Sequence, residues 1–428
     1  MTSHNVVMVT ALVVGAFLLD VSHGWAQEQD STATQDTTRA RPNLGGPNQV
    51  DNLLETDAEP KEPLFKLHLF DPYFDFKARL KEKIGLGFSL DYSTVYLKAS
   101  ASPAEDEAWS GMLRLYGSWD LVGRESGNSG AFVFKVEHRH RYTAIAPFSL
   151  SFNIGYAGIF AAPFNDQKFR VTNLYWRQRL GQGRFVFLAG FLDVTDFFDV
   201  YAMASPWLHF LNLAFSTGSA ATALPNDALL GVGAGAWITD QVYALASMGD
   251  NGSDPTDPFT GFDRFVSVNE YFTSLEVGWT TSKDRAYLDN VHVSVWHSDE
   301  KSEIGDPSGW GVNVSATRYI DDKWLPFLRG GYTEDGGSLL QKSVSAGLGY
   351  QAVPGRDLVG FGVHWGEPNA TTWGSSDLSD QYSLELFWRW YLGEQLAITP
   401  DVQYLINPAL NQNESSIWLF GLRARFVL

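Results

Sequence analysis

The stretch "SIWLFGLRARFVL", residues 416–428, decides how the rest of the chain is read. As extended backbone it sets Trp418, Phe420, Leu422, Ala424, Phe426 and Leu428 on one face. Leu419, Gly421, Arg423 and Arg425 fall on the other, because successive strand side chains point to opposite sides. A strand buried on both faces would not carry two arginines. The wet face of a soluble sheet would not need so many aromatics. One face in hydrocarbon and the other toward water satisfies both halves of the pattern.

The same period of two recurs along the chain. "GMLRLYGSWDL" (111–121) sets Leu113, Leu115, Trp119 and Leu121 against Arg114, Tyr116, Ser118 and Asp120. "AFVFKVEHRHR" (131–141) sets Phe132, Phe134 and Val136 against Lys135, Glu137 and Arg139. "QYSLELFWRWYL" (381–392) sets Tyr382, Leu384, Leu386, Trp388 and Trp390 against Ser383, Glu385 and Arg389. From Ile84 onward there are about sixteen such segments, joined alternately by short links such as 181–183 and long ones such as 143–167 and 193–225. In hydrocarbon every backbone N–H and C=O must be paired, so a spanning sheet has to close on itself. The expectation is an all-β protein: a transmembrane antiparallel β-barrel of about 16 strands over residues 84–428, its last strand pairing with the first near 84–98.

Ahead of the barrel, "VVMVTALVVGAFLL" (6–19) is an uninterrupted apolar run followed by Gly24-Trp25-Ala26. It reads as an export signal, residues 1–26, cleaved after Ala26. No later run reaches the roughly 18 apolar residues of a membrane helix. Residues 27–63 are polar, acidic and punctuated by proline, and read as a disordered leader. "FDPYFDFKARLKEKIG" predicts a short amphipathic helix within 64–83, with Asp71 as N-cap, Pro72 in the first turn and Gly85 as the stop.

Composition removes several function classes. The chain has no cysteine, which excludes disulfides, thiolate metal sites and a Cys nucleophile. A formal net charge of -18 without a basic stripe argues against nucleic acid. "DNGSDPTDPFTGFD" (250–263) fails the EF-hand template, since Gly252 replaces a ligand and Gly261 stands where the bidentate Glu belongs. His138 and His140 offer two imidazoles with no third ligand, and an interfacial position explains them better than a metal. "GVGAGA" (231–236) is not a phosphate loop, and no G-x-S-x-G is present. No catalytic residue, cofactor or metal is assigned, and no enzyme is expected.

Three stretches resemble the carbohydrate-selective porin family (OprB-type) of bacterial outer membranes: "GFLDVTDFFD" (190–199) with "HFLNLAF" (209–215), "ITPDVQYLINPALN" (398–411), and "FKARLKEKIGLGFSLDYSTVY" (76–96). The resemblance covers roughly residues 65–428. The chain departs from the family pattern at the helix start, where Pro72-Tyr73-Phe74 replaces Trp-Gly-Gly, and at Leu428, where an aromatic is usual. The resemblance implies a sixteen-stranded channel passing monosaccharides such as glucose by diffusion, surrounded by outer-membrane lipid, with carbohydrate solutes as partners. Monomer and homotrimer both remain open.

A sugar channel needs hydrogen-bonding groups around a constriction. The inward-facing candidates are Arg114, Lys135, Glu137, Arg139, Glu276, Glu385, Arg389, Arg423 and Arg425. "LDVTDFFDVYAMASPWLHF" (192–210) adds Asp193, Asp196 and Asp199 on a long connection able to fold inward. Against the constriction role stands the plainer one, in which lumen charges brace one another across strands. Competing functions are a general or anion-leaning porin, suggested by the inward arginines, an outer-membrane barrel hydrolase and a soluble β-rich carbohydrate-binding protein.

Overall fold

A computed structural model describes residues 43–66, 69–124, 126–216 and 221–428 of the chain. The expected export signal and the start of the leader lie outside the described residues. Sixteen strands form one closed antiparallel barrel in which each strand pairs with its sequence neighbours. Closure joins β1 (Leu86–Ala99) to β16 (Ser416–Val427), in register from Asp91↔Val427 to Ala99↔Leu419. Leu428 extends that seam, exchanging N–H···O bonds of 2.8 and 2.9 Å with Leu90. No strand edge is left open, which is the condition for sitting in lipid.

The outward face is apolar as the alternation requires. Trp418, Phe420 and Leu422 stay exposed, while Leu419 between them and Arg423 and Arg425 after them are buried inside. Aromatic pairs ring both ends: Tyr404 and Trp418 (centroids 4.5 Å) at the long-loop end, Trp324 and Tyr350 (4.4 Å) at the other. Such girdles mark the two membrane interfaces. His140 joins the outer belt, its Nε2 lying 3.0 Å from the Tyr92 hydroxyl and 2.9 Å from that of Tyr142. Short links such as 181–184, 238–241 and 392–395 gather at one end, and the long connections 142–167, 193–228 and 251–270 at the other. In bacterial barrels the short turns face the periplasm.

Two expectations for the N-terminal region change. Residues 43–63 are not a disordered leader: they include helix α1 (Val50–Ala58), with Val50 and Leu53 fully buried. The side chains that hold them lie far along the chain, which is why a local reading of composition missed them. Helix α2 (Asp71–Ile84) begins one residue early, with Phe70 at the N-cap and no side-chain cap. The Phe70 carbonyl instead accepts from the N–H groups of Tyr73 (3.0 Å) and Phe74 (3.1 Å). Gly85 ends α2 in the left-handed region at φ 80°, where a Cβ would stand 2.5 Å from the Asp120 carbonyl oxygen. Only glycine turns this helix so tightly into β1.

The lumen is packed rather than empty. The connection 142–167 carries helix α3 (Pro147–Ile154), whose Leu150 and Ile154 join Tyr156, Phe160 and Phe164 against the inward Val95, Leu97 and Leu419. This accounts for apolar residues on an inward face that also bears arginines. The connection 193–228 brings Tyr201, Met203, Phe210 and Phe215 against Phe327, Leu358 and Phe387. Helix α1 places Val50 and Leu53 with Tyr116, Val133 and Tyr175.

Candidate functional site

The inward charges stand in ladders on the barrel wall. Arg114 of β2 (Glu107–Val122) donates from Nε to Asp91 Oδ1 on β1 at 2.8 Å. Arg425 reaches the other oxygen of the same carboxylate from Nε at 2.7 Å. From α1, Asp57 Oδ1 accepts from Arg425 Nη1 at 2.9 Å, and its Oδ2 accepts from the Tyr116 hydroxyl. On β4 (Lys168–Leu180), Arg177 and Arg179 both reach Asp51 of α1. Backbone alternation places these guanidinium groups inside; Asp91 of β1 pairs with Arg114 and Arg425, and the N-terminal segment supplies Asp57 to Arg425 and Asp51 to Arg177 and Arg179.

A second group fixes the connection 193–228. Lys135 of β3 (Gly130–Arg141) donates to both oxygens of Asp196, at 3.0 and 2.9 Å, and lies 3.9 Å from Asp193. Burial, and then the neighbouring Asp196 carboxylate, pushes the Asp193 carboxyl up to about 8. Arg139 donates to Glu137 at 2.7 Å, and shares Asp227 with Arg170, at 3.1 and 2.5 Å respectively. Asp199 sits in the left-handed region at φ 51°. It is held there by Arg329 at 2.8 Å, by His292 Nε2 at 3.0 Å, and by its own N–H donating to Glu276 at 2.8 Å. A strained non-glycine residue of this kind persists only where its surroundings fix it. Burial would raise the Asp199 carboxyl, but the Arg329 and His292 charges outweigh it and hold the group below the usual carboxylate range.

The third group lies on β14 (Gln381–Tyr391) and β16. Glu385 accepts from the N–H groups of Leu211 (2.5 Å) and Asn212 (3.0 Å). Arg389 donates to the Leu208 carbonyl at 3.2 Å, and Arg423 to that of Pro206 at 2.7 Å. Buried Arg423 Nε and Nη2, and Arg389 Nε, have no hydrogen-bond partner among the described residues. His209 lies within the field of both, and its imidazole is held well below its ordinary pKa by burial and then by the charges of Arg389 and Arg423.

All the sequence-predicted residues therefore lie within the barrel, but in three groups rather than one ring. Asp51, Asp57, Asp91, Asp227, His292 and Arg329 complete these groups and were missed. Arg177 and Arg179 could have been found, since "RQR" repeats the inward i, i+2 spacing of Arg423 and Arg425. Among the described residues, no group of three or more His, Asp or Glu side chains is placed to hold a metal ion. In the 250–263 loop, Asp250 pairs with Arg264 at 3.3 Å and Asp254 accepts from the Thr256 N–H at 2.8 Å.

A family model described as "Carbohydrate-selective porin, OprB family" matches residues 134–303 and 287–428. Among solved structures, the high-pH structure of Pseudomonas putida OprB aligns with a TM-score of 0.65 at 15% identity, covering 83% of this chain and 97% of that one. Its low-pH structure aligns at 0.51 and 13%, covering 86% and 100%. A mutant Rh. blastica porin aligns at 0.49 and 11%, covering 80% and 100%. No curated protein matches the chain. The solved structures bear on the fold alone, whereas the family model spans most of the barrel, and on that evidence the chain belongs to the carbohydrate-selective porins of the OprB family, channels of the bacterial outer membrane.

Proposed function

We propose that the chain passes monosaccharides by facilitated diffusion, and that its constriction lies where residues 206–212 approach Arg389, Arg423 and Glu385. The observation that carries this reading is the buried Arg423 guanidinium, which spends one N–H on the Pro206 carbonyl and keeps Nε and Nη2 uncommitted. Both nitrogens are shut off from solvent where residues 206–212 lie over them, so a sugar reaches them as that segment moves aside, and its hydroxyls then trade water for guanidinium donors at small net cost. The other inward arginines are largely neutralised: Arg114 by Asp91, Arg425 by Asp57 and Asp91, Arg329 by Asp199, and Arg139 and Arg170 by Asp227. That pairing supports a neutral solute over the anion-leaning alternative.

Liposome swelling with purified protein tests it. Glucose should enter faster than gluconate, an anion of similar size, and Arg423→Ala should slow glucose entry several-fold. Equal rates for both solutes would sink the sugar preference. Of the two assemblies the sequence leaves open, the homotrimer predicts a single species of three barrels by native mass spectrometry in detergent, and the monomer a single barrel mass.

A further inference from the structure

A cavity of about 520 Å³ lies at the short-turn mouth and borders the 206–212 contact: Leu208, His209 and Arg389 line it, whereas Glu385 and Arg423 do not. One wall is the N-terminal segment, Pro47, Thr56 and residues 59–62, and the other is the barrel end with Ala202, Leu208 and His209. The volume falls within the range of small-molecule sites, roughly 300–1,000 Å³. Its lining pairs three tyrosines, Tyr287, Tyr319 and Tyr391, with Gln351, Arg389 and His209. Tyrosine presents a flat apolar face and a polar tip, which suits a ring whose C–H faces alternate with hydroxyls.

Two observations show that the polar side of this lining is not used up by the fold. His209 is 8% exposed, yet its Nδ1 has no hydrogen-bond partner among the described residues. Arg389 spends Nη1 on the Leu208 carbonyl while Nε has none. A neutral imidazole offers one donor and one acceptor, and burial together with Arg389 and Arg423 keeps His209 neutral. The charges around the cavity nearly balance: Arg285 pairs with Glu59 at 3.5 Å, and Lys61 lies over the Tyr391 ring at 5.5 Å. A lining that mixes aromatic faces, neutral donors and balanced charge fits an uncharged polyhydroxylated ring better than an acid.

We infer that this cavity is a second carbohydrate site, a periplasmic-side subsite for a neutral monosaccharide, completed by the seated N-terminal segment. The inference rests on the sugar-porin reading. A solute leaving the Arg423 contact passes from one set of hydroxyl-binding groups to another before bulk water, as multi-site channels require. Because Thr56 and residues 59–62 belong to one wall, occupancy and seating of that segment are linked: glucose stabilises the seated arrangement by mass action.

The test uses full-length protein in planar bilayers, with glucose added on the short-turn side and ion-current block titrated. Wild type should show saturable block, and the Tyr319→Ala/Gln351→Ala double variant should need about tenfold more glucose for half-block. Conductance without sugar and heat-modifiable gel migration should not change. As a second readout, glucose should slow tryptic cleavage at Lys61 in wild type and not in the double variant. Wild-type block and protection in the double variant overturn the subsite while leaving the porin intact. Swelling without any glucose block in wild type also overturns it. No glucose swelling in wild type overturns the transport reading, and the subsite with it.

Discussion

Two segments enter the same lumen and are held by different physics. The connection 193–228 enters from the long-loop end and builds a core: Tyr201, Met203, Phe210 and Phe215 are fully buried against wall aromatics. The N-terminal segment enters from the short-turn end with little apolar surface. Leu44, Val50 and Leu53 are its buried aliphatics, and its principal tethers are Asp51 to Arg177 and Arg179 and Asp57 to Arg425. Each buried aliphatic is worth roughly 1.5–3 kcal/mol, whereas ordering each backbone residue costs about 1–2 kcal/mol. A segment with so few of them depends on its charged tethers, whereas the connection 193–228 adds its tethers at Asp196, Asp199 and Asp227 to a built core. The former is therefore the part of the lumen filling able to unseat while the barrel stays folded.

The largest effect that sharpens this contrast comes from the aromatic cluster. Phe210 lies 4.9 Å from Phe387 and 5.0 Å from Phe215, centroid to centroid. Phe210→Ala should cost about 3–5 kcal/mol through lost burial and the cavity left behind. The temperature at which unheated barrel converts to the slow-migrating gel form should fall by several degrees. An unchanged transition would show that the cluster does not anchor the connection.

A smaller effect, confined to the other insert, comes from Gly46. Its N–H donates to the Asp196 carbonyl at 2.8 Å, and a Cβ there would stand 2.6 Å from Val200 Cβ. Gly46→Val should unseat residues 43–58 without touching a charge. Asp51→Asn should do the same through the tether, at about 1–3 kcal/mol for weakening a buried charged hydrogen bond. Faster tryptic cleavage at Lys61 with an unshifted barrel transition is the expected signature in both. If either variant lowered the barrel transition as far as Phe210→Ala, the two inserts would be one cooperative unit.

The same contrast explains what could be read in the sequence. Strand alternation is local, so Arg423 and Arg425 announced the inside of the barrel, and Trp418 and Phe420 the lipid face, before any partner was known. The inward Leu419 had no reason until the connection 142–167 supplied Leu150 and Ile154. Asp51 and Asp57 were invisible for the same reason: in an acidic, proline-punctuated stretch nothing marks them out, and their partners lie beyond residue 113 in the chain. Pairing between distant segments decides which inward charges remain available to a solute, and period-two patterns carry no information about it.

The smallest expected effect is a pH slope on the better-anchored insert. Asp193 carries a carboxyl raised to about 8, first by burial and then by Asp196 and Asp227, with Lys135 acting against the shift. Its carboxylate oxygen also accepts from the Thr195 N–H at 3.0 Å and from the Thr195 hydroxyl at 2.6 Å, which favours the ionised form without reversing the balance. Between the ordinary value of 3.8 and about 8 the folded protein holds a proton that the unfolded chain releases. Stability from this group is therefore complete below the unfolded value and is lost progressively as pH rises through the window. Wild type should convert on the gel at a temperature a few degrees lower at pH 9 than at pH 5. Asp193→Asn should shrink that difference, leaving the remainder to Asp196, which burial also raises. A slope unchanged by the substitution would place the titrating group elsewhere and leave the seat of 193–228 to its aromatic core and the Lys135 tether alone.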